Sequence, residues 1–202
     1  WLCCVRERHN SDREPINDLF AVSTSMPNET RILASGQDFY SSPRFSPDSS
    51  KICWLSWSHP NMPWDGSVLW VADFHKNGTI ANVERVAGSS TESVVQPSWS
   101  PNGQLFFFTD ISGYWNLSLW DGSATRPFFS ENFEHTEAPW QFGYSSYAFL
   151  SDGTLVLGSS APVESASLRL FDVGGQELPP IMSDYSSIRY LRAVGQKVIH
   201  LG

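Results

Sequence analysis

The sequence is poor in basic residues, and it contains no long apolar segment and no helical pattern. Its 13 lysines and arginines face 21 aspartates and glutamates, which gives a net charge of −8. This balance argues against nucleic acid as a partner, because phosphate binding needs clustered basic side chains. The sequence contains no run of about 18 apolar residues, so it does not predict a membrane span. Glycine or proline interrupts every stretch of helical apolar spacing, which favours an all-β chain.

Cysteine and histidine are too sparse and scattered to indicate a metal, redox or cofactor site. The cysteines (Cys3, Cys4, Cys53) lack a CxxC spacing, and the five histidines lack ligand spacing. We therefore expect buried reduced thiols, no metal and no cofactor, as is typical of a cytoplasmic protein. Three glycosylation sequons, which begin at Asn28, Asn77 and Asn116, leave a secretory location open.

What the sequence does contain is a four-fold internal repeat. A leucine followed by an aromatic residue recurs at spacings of 50, 50 and 51: Leu19-Phe20, Leu69-Trp70, Leu119-Trp120 and Leu170-Phe171. Turn segments that begin at Ser46-Pro47, Ser100-Pro101 and Ser151-Asp152 recur in register with it. Repeats of about 40 to 50 residues built from short strands predict a β-propeller, whose blades need neighbours to bury their apolar faces.

Each repeat contains the strands of one four-stranded blade. In the third copy, Gln96 to Trp99, Gln104 to Thr109, Tyr114 to Trp120 and Thr125 to Phe129 read as strands separated by turns. Across the chain we count roughly 17 strands. The blade parts cover about 1–35, 41–88, 95–130, 145–182 and 187–202. The prediction is one partial propeller domain, 1–202, of roughly four blades that begins and ends in mid-blade.

Acidic residues offer two further groups of candidates, and both have a plain structural interpretation. Asp48, Asp73, Asp121, Asp152 and Asp172 fall at equivalent turn or strand-end positions, which indicates hairpin capping. Glu131, Glu134 and Glu137 cluster in one segment, which we interpret as a solvated face. The alternative, a carboxylate that holds the free amino group of a substrate, is not assigned to these three residues.

Two segments carry a specific family resemblance. They are residues 37–48 (QDFYSSPRFSPD) and residues 54–66 (WLSWSHPNMPWDG). Residues 96–103 and 140–150 carry the same resemblance. Together they resemble the propeller domain of prolyl oligopeptidase-family serine peptidases, in the dipeptidyl-peptidase and acylaminoacyl-peptidase branch. The resemblance covers essentially the whole chain. It implies a propeller that gates the access of short peptides to a Ser-Asp-His triad in an α/β-hydrolase domain.

No residue of this chain is predicted to be catalytic. A nucleophile elbow needs Gly-x-Ser-x-Gly, and the nearest string, Gly143 to Tyr147, lacks the second glycine. We therefore expect the hydrolase domain to be absent from the chain. The segment after Ser58 is the most unusual, because two prolines and a tryptophan should stiffen it. Its candidate residues for a substrate gate or domain interface are His59, Asn61, Met62, Trp64 and Asp65. Alternatively, Met62 and Trp64 fold back to plug the end of the blade.

Two functional interpretations remain open from sequence. In the first, the chain is the non-catalytic propeller portion of a serine peptidase, and its partners are a hydrolase domain and short peptides. In the second, it is a free-standing propeller-type module of the TolB-like kind that binds a protein or peptide. In either case, open blade edges predict self-association of the isolated chain.

Overall fold

The computed structural model describes residues 1–159 and 166–202, and within them every regular element is a β-strand. Seventeen strands are present in these residues, the number that the sequence predicts. No helix in the described residues has the length and apolar character needed to cross a membrane. The fourth predicted blade part, 145–182, includes residues 160–165, which lie outside the described residues. The chain divides into two compact units, residues 1–99 and 100–202.

The first unit contains eight strands. A three-stranded sheet consists of β1 (Leu2–Asn10), β2 (Arg13–Val22) and β3 (Thr30–Ser35) in that order. A four-stranded sheet follows in the order β4 (Phe39–Phe45), β5 (Lys51–Trp57), β6 (Val68–Phe74) and β7 (Ile80–Gly88). Strand β8 (Val94–Trp99) ends the unit. Neighbouring strands within both sheets run antiparallel, as hairpin connections require.

The second unit contains the remaining nine strands of the described residues. Strand β10 (Asn116–Trp120) pairs antiparallel with both β9 (Leu105–Thr109) and β11 (Thr125–Pro127). A four-stranded sheet has the order β12 (Tyr147–Phe149), β13 (Leu155–Ser159), β14 (Ser167–Phe171) and β15 (Glu177–Met182). The last two strands, β16 (Arg189–Val194) and β17 (Lys197–Leu201), form a hairpin. The four-stranded sheets confirm the all-β, partial-propeller prediction.

The repeated leucine has the same structural position in each copy. Leu19 lies opposite Val5, Leu69 opposite Leu55, Leu119 opposite Phe106, and Leu170 opposite Val156. In every case the leucine lies on the second strand of a hairpin, and the residue opposite it lies on the first. Leu19, Leu69 and Leu119 are buried. The period of the sequence therefore reflects a fixed register between two strands of each sheet.

The core of each unit lies where sheets stack face to face. In the first unit a cluster is formed by residues from β2, β3, β4, β5 and β6: Leu19, Ala21, Leu33, Tyr40, Ile52, Trp54 and Ala72. Strands β9 and β13 are buried along their whole length, so both of their faces meet neighbouring side chains. This explains why their sequences are continuous apolar runs instead of alternating patterns. The outer strand β15 is mostly exposed, and the outer strand β7 is exposed or half-buried except at Gly88.

The cysteines only partly follow the sequence prediction. All three are free thiols, and Cys53 is fully buried, where burial raises the thiol pKa to about 12. Burial likewise raises the pKa of the half-buried Cys3 to about 12. The prediction of burial is wrong for Cys4, which is exposed on β1. Its neighbour Cys3 points to the opposite face of the strand, because successive side chains alternate.

Candidate functional site

The five predicted gate or interface residues lie on the loop of residues 58–67, which connects β5 to β6. Because the strands are antiparallel, this loop lies at the same end of the sheet as the connections 36–38 and 89–93. All three connections belong to the first unit. We call them together the end-loop cluster. From sequence, only the central loop is predicted to be a contact surface, since the other two contain ordinary turn residues.

The first part of the central loop is held by residues 37–39. The backbone N–H of His59 donates a hydrogen bond to Asp38 Oδ2 at 2.9 Å. The imidazole of His59 contacts the ring of Phe39 edge to face, with centroids 5.0 Å apart. Phe39 in turn stacks on Trp57, with ring centroids 5.4 Å apart. The exposed His59 is therefore linked through two ring contacts to the buried strand β5.

The later part of the loop is held by residues 90 and 93. The side-chain amide of Asn61 donates to the carbonyl of Ser90 at 2.7 Å, and the buried hydroxyl of Ser93 donates to the carbonyl of Pro63 at 2.8 Å. A methyl group on Gly66 would lie only 2.6 Å from the Ser90 carbonyl oxygen. The two loops therefore pack closely enough to require glycine at this position.

The tip of the loop is a turn capped by Asp65. Its Oδ2 accepts a hydrogen bond from the Met62 N–H at 2.9 Å, and its own N–H donates to the Met62 carbonyl at 3.0 Å. Met62 is 48% exposed, so it does not plug the blade as the alternative interpretation required. Trp64 is half-buried. The role of these residues at a gate or interface stays a prediction.

The chemistry of the end-loop cluster is that of a contact surface. It presents an imidazole, a thioether and part of an indole on a backbone fixed from both sides. The polar side chains Asp38, Asn61 and Asp65 are already engaged with backbone groups. Rigid loops with aromatic side chains at the end of an element suit the binding of a peptide or of another protein surface.

The carboxylates of the acidic segment 131–137 have partners that the sequence did not predict. Glu134 accepts a hydrogen bond from the Trp115 N–H at 2.8 Å, and Glu137 pairs with Arg189 at 2.8 Å. Glu131 pairs with Arg169 through contacts of 3.0 and 3.1 Å. The segment is solvated in part, since Glu134 and Glu137 are exposed, but each of the three carboxylates also has a partner in the second unit. Sequence could not show these partners, which are up to 52 residues distant.

Arg169 on β14 is the centre of this arrangement. Its guanidinium also binds Glu177 on β15, at 2.7 and 3.0 Å, and lies 5.3 and 5.2 Å from the ring centroids of Phe129 and Phe171. The hydrogen bonds to Glu177 raise the pKa of Arg169, and the same bonds lower the pKa of Glu177. The cluster fixes the start of the long connection from β11 to β12.

His135 completes the cluster as a buried imidazole. Its Nε2 lies 3.0 Å from Glu131 Oε2, and its Nδ1 has no hydrogen-bond partner among the described residues. Burial lowers the pKa of His135, and the charge of Glu131 opposes this effect. Phe129 and Phe133 contact the imidazole edge to face. His135 is therefore a packed core side chain and not a ligand presented to solvent.

The recurring aspartates have the capping role that the sequence indicated. Asp48 accepts from the Ser46 hydroxyl at 2.7 Å and from the Ser50 N–H at 3.0 Å, which together lower its pKa to about 2, the Ser46 bond contributing most. Backbone N–H groups bind Asp121, Asp152 and Asp172 in the same way. Asp73 differs in binding two side chains, Lys51 and Asn82. These bonds close hairpins.

Comparison with known proteins supports the same architecture. No family model matches the sequence, and neither does any curated protein. The chain is similar to the crystal structure of puromycin hydrolase, with 26% identity and a TM-score of 0.84 over 98% of this chain and 31% of that one. A puromycin-hydrolyzing peptidase of Mycobacterium tuberculosis gives 27% identity and a TM-score of 0.83, over 99% of this chain and 32% of that one.

A more distant structure shares the fold alone. Apo prolyl oligopeptidase B from Galerina marginata is 11% identical, with a TM-score of 0.69 over 99% of this chain and 29% of that chain. The chain thus spans about a third of the length of the solved structures that it matches. Each of these matches extends over nearly all of the 202 residues of this chain.

Proposed function

The chain is a partial β-propeller domain like those of prolyl oligopeptidase-family peptidases, and from this we propose that it is the non-catalytic propeller portion of a serine peptidase. In this role it restricts the access of substrates and supports an α/β-hydrolase domain that carries the reactive serine. The observation that carries the proposal is the similarity to puromycin hydrolase and to the puromycin-hydrolyzing peptidase over 98–99% of this chain but 31–32% of theirs.

The end-loop cluster is the surface that we assign to this role. Its central loop presents His59, Met62 and Trp64, and it is held by Asp38 at the His59 N–H and by the Ser90 carbonyl at the Asn61 side chain. A gate or domain interface needs such a surface, since it must hold its shape while contacting a peptide or another domain. We further propose that the parent enzyme belongs to the dipeptidyl-peptidase and acylaminoacyl-peptidase branch and acts on short peptides. Its compartment is proposed to be the cytoplasm.

The proposal is tested by the intact mass of the native polypeptide together with an active-serine probe. A mass of about three times 22.6 kDa, labelling by a fluorophosphonate and cleavage of short peptides but not of folded proteins would support it. A native mass near 22.6 kDa without labelling would overturn it. That result would favour the free-standing binding module instead.

The role of the loop is tested separately by Trp64→Ala in the full polypeptide. We expect the ratio kcat/KM for a short peptide to change about fivefold or more, because a side chain that contacts substrate or the partner domain alters substrate positioning. The melting temperature should stay within a few degrees, since Trp64 is only half-buried. Equal losses of stability and activity, or unchanged kinetics, would contradict the assignment.

A further inference from the structure

The second unit contains a cavity that the proposed function does not use. It has a volume of about 130 Å³ and lies at the hairpin-turn end of the unit, near the turns 100–104, 150–154 and 172–176. Most of the long connection 128–146 lies toward the opposite end of these sheets, because the strands alternate in direction, but its first residue, Phe128, lines the cavity. Phe128 in its lining contacts Phe129 and Phe171, the two rings that lie against the guanidinium of Arg169, so the cavity borders the cluster around Arg169.

The floor of the cavity is apolar and well packed. It is formed by Phe106, Leu119, Phe128, Phe149 and Leu155. Phe106 makes edge-to-face contacts with Phe128 at 5.3 Å and with Phe149 at 5.0 Å. Four of these residues lie on hydrogen-bonded strands, and the N–H of Phe128 donates to the Leu117 carbonyl at 2.8 Å, so the floor is preformed. An apolar space of this order accommodates about one aromatic ring.

The wall of the cavity carries one cationic side chain, Arg126 on β11. The other arginines of the second unit are occupied: Arg169 and Arg189 bind carboxylates, and Arg192 binds backbone carbonyls. The exposed guanidinium of Arg126 has no ion pair or hydrogen bond among the described residues; the lowered pKa of Asp121 is due mainly to hydrogen bonds from Ala124 and Ser123, and the charge of Arg126 contributes less. It is thus open to a ligand.

The charge of the surroundings limits the kind of anion. Asp172 also lines the cavity, with Oδ1 bound by the N–H groups of Gly174 and Gln176 at 2.9 Å each. A dianionic phosphate would meet this carboxylate and the net charge of −8 with only one arginine to balance it. A carboxylate, by contrast, matches the fork of a single guanidinium through two parallel hydrogen bonds.

We propose that this cavity binds a small carboxylate that carries one apolar ring or branched aliphatic group. The apolar group lies on the phenylalanine floor, and the carboxylate pairs with Arg126 at the rim. Polar groups form the larger part of the cavity surface and the floor forms its apolar part, so a ligand with one charged and one apolar end matches both. The small volume restricts the ligand to about the size of one ring.

The test uses phenylacetate as the probe and ligand-observed NMR on the native polypeptide. Phenethylamine, which has the same ring but a positive charge, is the matched control ligand. We expect phenylacetate to bind at least tenfold more tightly than phenethylamine, because only the anion pairs with Arg126. Equal binding of the two, or no binding of phenylacetate up to about 10 mM, would overturn the proposal.

Three variants locate the binding. Arg126→Gln should weaken phenylacetate binding at least tenfold, whereas Arg85→Gln, at an exposed strand arginine of the first unit, should change it less than twofold. Val173→Trp at the exposed rim should block the cavity without disturbing the core, since Val173 is 65% exposed. If Arg126→Gln binds like the wild type, or if Val173→Trp has no effect, the site is elsewhere and the proposal is wrong.

Discussion

Replacement of Arg169 by methionine should destabilise the second unit by about 2–3 kcal/mol. Removing one partner of a fully buried ion pair costs about 3–5 kcal/mol, whereas exposed pairs contribute about 0.2–1. Arg169 is 16% exposed, but Glu131 and Glu177 are 39% and 45% exposed, so each pair lies between these limits at about 1 kcal/mol. Loss of the cationic contacts with Phe129 and Phe171 adds about 0.5–1 kcal/mol.

The assay is urea denaturation followed by far-ultraviolet circular dichroism. A loss of this size corresponds to a midpoint shift of about 1 M for a slope near 2 kcal/mol/M. Arg169→Lys is the matched control, since lysine keeps the charge but cannot bind two carboxylates through a planar fork. We expect it to lose about half as much. A methionine variant within about 0.5 kcal/mol of the wild type would refute the argument.

The pH dependence provides a second check on the same variant. Hydrogen bonds from Arg169 lower the folded-state pKa of Glu177 below its ordinary value of 4.5. The stability that this carboxylate contributes is present above that ordinary pKa and is lost as the pH falls through the lower folded-state value. The deficit of Arg169→Met should therefore be largest near neutral pH and shrink below about pH 4. A deficit independent of pH would contradict the ion-pair explanation.

Three further predictions address the loops and the edges. Gly66→Ala should cost about 1–3 kcal/mol in urea denaturation, because its methyl group meets the Ser90 carbonyl at 2.6 Å, and a neutral outcome would mean that the two loops separate freely. The pKa of Asp48, followed by NMR, should be about 2 and should rise toward 3.8 in Ser46→Ala; an unchanged value would exclude the hydroxyl as the main cause. The isolated 202-residue chain should show a concentration-dependent mass in light scattering, and Val5→Lys on the edge strand β1 should reduce it. A monodisperse monomer of 22.6 kDa would refute this expectation.

The strand content of the fold could be predicted because each repeat carries its own local signals. Turn residues such as Asn102-Gly103 and Asp152-Gly153 mark the hairpins, and Gly103 and Gly153 adopt φ values of +85° and +91° that other residues rarely adopt. The continuous apolar run Leu105 to Phe108 marks a strand buried on both faces. These signals act over a few residues, so they can be identified directly from the sequence.

The candidate loop was also accessible to sequence analysis, but only in part. Two prolines and a tryptophan singled out the segment that contains His59 and Trp64. The residues that hold it, Asp38 and Ser90, lie 21 and 29 positions away along the chain from the groups that they bind. Nothing in their local sequence distinguishes them from other polar turn residues. The surface as a whole therefore emerges only when three connections meet at one end of the sheet.

The sequence by itself determined the repeat, the strands, the all-β class and the capping role of the aspartates, since each depends on periodicity or on contacts within a hairpin. Only the tertiary structure decided which charges are paired and which are free. Glu131 and Glu137 find arginines 38 and 52 residues later, whereas Arg126 has no such partner among the described residues. Pairing of charges depends on which strands of different sheets come together. The repeat in the sequence predicts the register between strands of one blade. It does not predict which side chains of different blades contact each other.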